Sequence, residues 1–273
     1  CIERCRHVTP GSRTQNGLYL FYDLDARLYR NPLWTWTWGP EVRLFLDAAT
    51  RVEGEHSDMT GKWRQLASDL GETSLRFQVK DEEDPVNNLF MARWDPSTQY
   101  PFGIGGHVSP PDGLFLMGWA WIPLYEATGD ARYLDAAMDQ TLAVGRLLED
   151  WAIVPQDYLI HSAEWKAWVV DEASFGMEGL AELYRVTKDD RVKDIGRTYM
   201  EGILAKFDRE DGLWERFYFI DKDETVPVEG HTRGLAWAIE GLMAANRLLP
   251  GEGYLERAEE LARHFVDGQH ETG

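Results

Sequence analysis

The chain has 273 residues, 44% of them hydrophobic, enough to bury one sizeable core, with 47 acidic residues against 28 basic ones and a formal charge of −19. That charge argues against nucleic acid as a partner, no apolar run approaches the length of a membrane span, and Cys1 and Cys5 are too few for a disulfide framework or a zinc site. A chain of this length forms one large domain or two small ones and is expected to be soluble and globular. Any anionic ligand must then be met by a local cluster of cations that overcomes the global field.

In chain order, "WTWTW" at 34–38 alternates as a strand does and would place three indole rings on one side. "DAATRVEGEHSDMTGKWRQL" reads as a loose helical hairpin. "RWDPSTQYPFGIGGHVSPPDG" is a long loop rich in Pro, Gly and His that contains His107, and its "GIGG" lacks the Lys-Ser/Thr of a phosphate loop. The apolar helix "GLFLMGWAWIPLYEA" follows, then the turn "TGD" and the striped helix "ARYLDAAMDQTLAVGRLLED". The same turn pattern recurs in "LYRVTKDDRVKDIGR" and in "ANRLLPGEGYLERAE", about every 60 residues, the scale of tandem α-hairpins. "GLWERFYFID" suggests a short hairpin arm, and "IDKDETVPVEGHTRG" is a second long loop leading into "GLAWAIEGLMAANRLL". Apolar inner helices covered by amphipathic outer ones predict an all-α fold, a closed α/α toroid or an open solenoid.

Asp112 and Asp171 both stand where a loop enters an inner helix. In a toroid such mouths converge, and two carboxylates in one pocket are the equipment of acid/base chemistry on sugars. Asp112 in "SPPDGLF" reads equally well as a helix cap. Asp171 follows the bulky "WKAWVV", which should desolvate it and raise its pKa, while a helix N-terminus should lower it. Glu172, about 100° further round the helix, is expected to partner a base or face solvent. Trp36, Trp168 and Trp237 are candidates for stacking on sugar rings, and His231 and Arg233 in "GHTRGLAW" stand at a third mouth. Arg233 suits a substrate carboxylate, or else a wall carboxylate of the protein itself.

These residues resemble a known family. "RFYFIDKDETVPVEGHTRGLAWAIEGLMAANRLL", "VVDEASFGMEGLAELYRVTKDDRVKD", "PPDGLFLMGWAWIPLYEATGD" and "WTWTWG" are similar to segments of the unsaturated glucuronyl and rhamnogalacturonyl hydrolases. The resemblance implies a single domain over residues 1–273, with no metal and no cofactor, folded as an (α/α)6 toroid that releases a terminal uronic acid from an oligosaccharide in bacterial polysaccharide degradation. Asp171 would protonate C4 of a 4,5-unsaturated uronate and activate water for attack at C5. Asp112 would be the second carboxylate, with Trp36, His107, Trp168, His231, Arg233 and Trp237 binding the sugar. The sequence does not give the compartment, and the expectation is the cytoplasm or periplasm of a bacterium. His231 replaces the family's usual Trp, which makes a saturated β-glucuronidase a rival reading. Two more rivals stand beside it: a toroid epimerase or lyase, led by histidines or Tyr with Arg, and a helical-repeat glycan-binding module without catalysis. Six hairpins need well over 300 residues on the repeat arithmetic, so a last hairpin is expected to be missing from the sequence, its place taken by a continuation of the chain or by a second copy in a homodimer.

Overall fold

The computed structural model describes residues 12, 15–18, 21–23, 28–30, 33–94, 107–226 and 232–268. Four helical hairpins follow one another in these residues. The first is α1 (Trp38–Arg51) with α2 (Ser57–Leu75), the looser repeat read from the sequence. The second pairs α3 (Pro110–Leu116), which runs through a π turn at Met117–Trp121 into α4 (Ile122–Thr128), with α5 (Ala131–Asp150). The third is α6 (Met177–Thr187) with α7 (Asp190–Phe207), and the fourth α8 (Thr232–Leu248) with α9 (Tyr254–Asp267).

The short turns have a common chemical cause. Gly129 closes α4 in the left-handed conformation at φ 72°, and the next residue, Asp130, caps α5 by accepting the backbone N–H of Arg132. Lys188 and Asp189 repeat the arrangement, with Asp189 accepting from Arg191, although Lys188 adopts φ 54° without glycine's freedom. The π turn lies just ahead of Pro123, whose ring cannot donate to the helical ladder, and the widened turn absorbs that loss within a continuous inner helix.

The inner elements α1, α3–α4, α6 and α8 pack side by side in chain order, with α5 and α7 adjacent on the outside. One contiguous hydrophobic cluster runs from Trp38 to Leu261. The segment Pro110–Leu124 is buried except at Asp112 and Trp119, as an inner helix should be. The expectation that α8 is also buried all round is not met. It packs on α6, α7 and α9, while Ala236, Glu240 and Met243, the last 47% exposed, face outward.

At the crossing of the second and third inner helices Gly118 meets Gly179, and a Cβ on Gly118 would stand 2.8 Å from Gly179 Cα. A Cβ on Gly179 would run into the carbonyl oxygen of Leu114, which is backbone and cannot turn aside. Gly179→Ala is therefore expected to destabilise the protein by about 1–3 kcal/mol or more, read as a lowered denaturant midpoint, whereas Gly61→Ala, with open space around it, should be tolerated.

The "WTWTW" run does not extend as a strand. Thr35–Thr37 form a 3-10 turn running straight into α1, and three residues per turn send alternate side chains to different sides. Trp36 stays half-buried, while Trp38 is fully buried against Phe77 and its indole N–H donates to the Leu18 carbonyl at 3.2 Å. The hairpin arm is present as Phe217–Phe219 antiparallel to Glu224–Val226. A third strand, Trp168–Val170, joins its other edge, pairing Trp168 with Phe219 and Val170 with Phe217. A second small sheet sets His107–Val108 beside Tyr158–Leu159 and Glu164–Trp165.

Candidate active site

The two sheets and the N-terminal ends of the inner helices enclose a cavity of about 320 Å³. Its aromatic lining is Trp36, Trp168, Phe175, Phe217 and Trp237, and its polar lining is Asp112, Gln156, Asp157, Glu172, Arg216 and Arg233. A larger hollow of about 690 Å³ lies at the end of α2 near Asp81 and Asp84. Its cations are already engaged, Lys80 by Asn88 and Asp139 and Arg76 by Gln15 and Thr73, and none of the candidate residues lines it.

Trp36 forms an edge-on contact with Phe115, Phe175 and Trp237, whose centroids lie 5.9, 6.3 and 6.1 Å away. Phe175 stacks on Trp237 at 5.4 Å, and the Arg233 guanidinium lies 4.9 Å over the Trp237 ring. Trp237 thus orients an arginine as well as walling the cavity. Trp168, on its short strand, lines the cavity beside Phe217 at 6.2 Å.

Asp112 lines the cavity and is not the cap of its helix. Ser109 takes that position, with its hydroxyl oxygen 3.5 Å from the Asp112 N–H, and leaves the Asp112 carboxylate to its own surroundings. Asp171 opens the 3-10 turn Asp171–Gly176 that leads into α6, and is only 2% exposed. Arg216 donates to its carboxylate, and the Glu172 N–H adds a bond at 2.8 Å. Burial nonetheless dominates: it pushes Asp171 up to about 6, against the opposing pull of Arg216, with the Glu172 charge adding to the rise.

Glu172 is no solvated residue. It lines the cavity and its Oε1 receives Arg216 at 2.9 Å and Arg233 at 2.9 and 3.2 Å. Of the two cations, Arg216 is held at 11% exposure and Arg233 is 64% exposed. The result is a chain of alternating charge, Asp171, Arg216, Glu172, Arg233, that ends on the face of Trp237. Carboxylates outnumber the two guanidiniums in this lining, so an anionic ligand would have to meet Arg216 and Arg233 directly, in competition with Asp171 and Glu172.

His107 stands behind the lining, its Nδ1 3.0 Å from Asp157 Oδ1. His231 lies outside the described residues. Five of the residues singled out in the sequence, Trp36, Asp112, Trp168, Arg233 and Trp237, share the cavity wall, and Asp171 lies directly behind it. Arg216, Gln156 and Asp157 were missed. A lone cation heading the aromatic run of "WERFYF" was the signal for Arg216, since a buried carboxylate pair requires one nearby; "VPQDY" carries no comparable signal. Among the described residues no cluster of three or more His, Cys, Asp or Glu could hold a metal ion.

The architecture is that of the (α/α)6 toroids, with four helical hairpins among the described residues. Scanned against protein-family models and curated proteins, the sequence matches none. Among solved structures it is similar to an unsaturated glucuronyl hydrolase responsible for the degradation of glycosaminoglycan from Bacillus sp. GL1, at 17% identity and a TM-score of 0.59 over 88% of this chain and 58% of that one. It is also similar to a sugar epimerase from a ruminal bacterium, at 13% identity and a TM-score of 0.70 over 96% of this chain and 66% of that one. A family 76 glycoside hydrolase from a bovine Bacteroides thetaiotaomicron strain matches at 15% identity and a TM-score of 0.63, covering 89% of this chain and 52% of that one. The chain thus spans between about half and two thirds of the length of these structures.

Proposed function

We propose that this chain is a glycoside hydrolase that releases a terminal uronic acid, in the 4,5-unsaturated form, from polysaccharide-derived oligosaccharides. The observation that carries the reading is a buried carboxylate, Asp171, raised to about 6 and set behind a cavity lined by three further carboxylates, two arginines and three tryptophans. Asp171 in its protonated form donates to C4 of the unsaturated ring. Water adds at C5 as Asp171 takes back a proton, and the C5 hemiketal opens with cleavage of the glycosidic bond. Because Arg216 holds Asp171 in the free enzyme, a substrate carboxylate that draws the guanidinium to itself also frees the acid. Asp112, the second carboxylate of the reading, lines the same cavity, and Trp36 and Trp168 offer the ring aromatic faces.

Loss of the unsaturated-uronate absorbance band on incubation with lyase-derived disaccharides tests the reading. Cleavage of a chromogenic saturated β-glucuronide instead would move the assignment to a glucuronidase on the same fold. Arg233→Ala is expected to raise KM about tenfold or more for uronates and to leave neutral glycosides nearly unchanged. Equal losses on both would assign Arg233 to structure.

A second reading, a sugar epimerase, is favoured by the higher TM-scores of the epimerase structures, 0.66 to 0.70. No histidine lies among the described residues that line the cavity, which weighs against it. Conversion of cellobiose to its C2 epimer, followed by chromatography, would decide for it.

A further inference from the structure

The polar groups that the proposed reaction leaves unused sit together at the joint between the two small sheets. Successive carbonyls of the Trp168–Val170 region point to opposite edges: Ala167 O accepts from Ile220 N on the side of the Phe217–Phe219 arm, and Trp168 O accepts from Gln156 N at 3.1 Å on the other. Asp157 is fixed in turn by its carbonyl, which accepts from Lys166 N at 2.7 Å. Pro155 precedes them both, so this piece of backbone has little freedom.

Both side chains line the cavity, and both are buried, Gln156 to 8% exposure and Asp157 to 6%. Among the described residues the Gln156 Oε1 has no hydrogen-bond partner, and neither has Nδ1 of His107, which approaches Asp157 without the alignment of a hydrogen bond. Buried polar atoms are almost always satisfied, and an orphan at a cavity wall marks a place that a ligand completes. The chemistry of the missing partner follows from what the pair offers. A carboxamide oxygen and a carboxylate are acceptors on consecutive residues of one cavity wall, so a ligand that engages both brings donors. Adjacent hydroxyls of a sugar ring have that character, while an anion is repelled here and drawn to the Arg216 and Arg233 wall.

We propose that Gln156 and Asp157 form a hydroxyl-binding shelf, which grips the sugar through its O–H groups and not through its carboxylate. The inference rests on the carbohydrate reading above, and gives the cavity two separate recognition elements: guanidiniums for a carboxylate, and the shelf for the polyol. Specificity against a deoxygenated or differently configured ring then lies with the shelf, since a site built to hydrogen-bond a hydroxyl leaves its own buried groups unpaired when that hydroxyl is absent.

Trp36, Trp168 and Trp237 line the same cavity, so intrinsic fluorescence can follow binding without turnover. Two probes separate the elements: D-glucuronate, and D-xylose, which has the same ring hydroxyls and no carboxylate. Gln156→Leu is expected to weaken both about tenfold, whereas Arg233→Ala should weaken glucuronate alone. Gln156→Asn keeps the amide but draws it back by one methylene; it should show a smaller loss of the same kind, and stands in if the leucine variant fails to fold by circular dichroism. Unchanged binding of both sugars in either folded Gln156 variant overturns the shelf, as does a loss confined to glucuronate. If wild type binds xylose and glucuronate alike and Arg233→Ala changes neither, with Gln156→Leu weakening both, the shelf holds and the uronate reading falls. Failure of wild type to bind either sugar overturns both.

Discussion

Asp171→Asn is expected to lower turnover by roughly 10² to 10⁴ with the fold intact, because the amide fills the same space and cannot relay a proton. The same substitution should raise stability at alkaline pH. Asp171 is raised from 3.8 to about 6 in the folded protein, so between those values the folded state binds more protons than the unfolded one. Its contribution is therefore complete below pH 4 and is lost as pH rises through 6, a loss of about 3 kcal/mol. Asparagine does not titrate, and Glu172 still holds Arg216. Denaturant midpoints of variant and wild type should converge at pH 4 and separate, with the variant more stable, at pH 8. Activity should show the matching limb, falling above about pH 6 as the acid form is depleted. A variant that keeps near wild-type kcat would return Asp171 to the role of a helix-end residue.

Arg216→Met should be the most damaging change for stability at the site, at roughly 3 to 5 kcal/mol near neutral pH, since it strips a buried carboxylate pair of its shared cation. The thioether keeps much of the side-chain volume and so isolates charge from packing. Without the arginine the deficit grows with pH, because Asp171 and Glu172 must either ionise uncompensated or take up protons from an increasingly alkaline solvent. Urea melts at pH 7 and pH 4 should therefore show a large deficit at the first and a much smaller one at the second. Equal deficits would mean that Arg216 matters for its packing alone.

What the sequence disclosed and what it hid divide along the range of the forces involved. The hairpin turns were legible because a left-handed closing residue followed by a capping Asp is a local device, present in "TGDAR" and again in "TKDDR". Strongly apolar stretches marked the inner helices, and the break that Pro123 threatens is absorbed by the π turn. "WTWTW" misled because alternation is a strand's signature, and nothing local in it reports that a 3-10 turn will part Trp36 from Trp38. The partners of Asp171 were hidden for a different reason. Arg216 reaches it only through the register that pairs Val170 with Phe217, and Gln156 and Asp157 reach the cavity only through the bond to Trp168 O. Such placements depend on strand pairing across tens of residues, which residue patterning does not encode. The open flank of α8 was likewise invisible in a helix whose composition reads as wholly buried.

The acid and its counter-ion come from positions 45 residues apart, on either side of the α6–α7 hairpin. A chain made from its N-terminus delivers Asp171 and Glu172 to the growing fold before Arg216 exists, and burying two carboxylates without their cation is unfavourable by several kcal/mol. Closing the turn Asp171–Gly176 over its two carboxylates is therefore unfavourable until α7 and the arm beyond it are in place. The raised proton affinity of Asp171 accordingly belongs to the finished fold, since it requires the burial that a later stretch of the chain completes when it folds back over this turn.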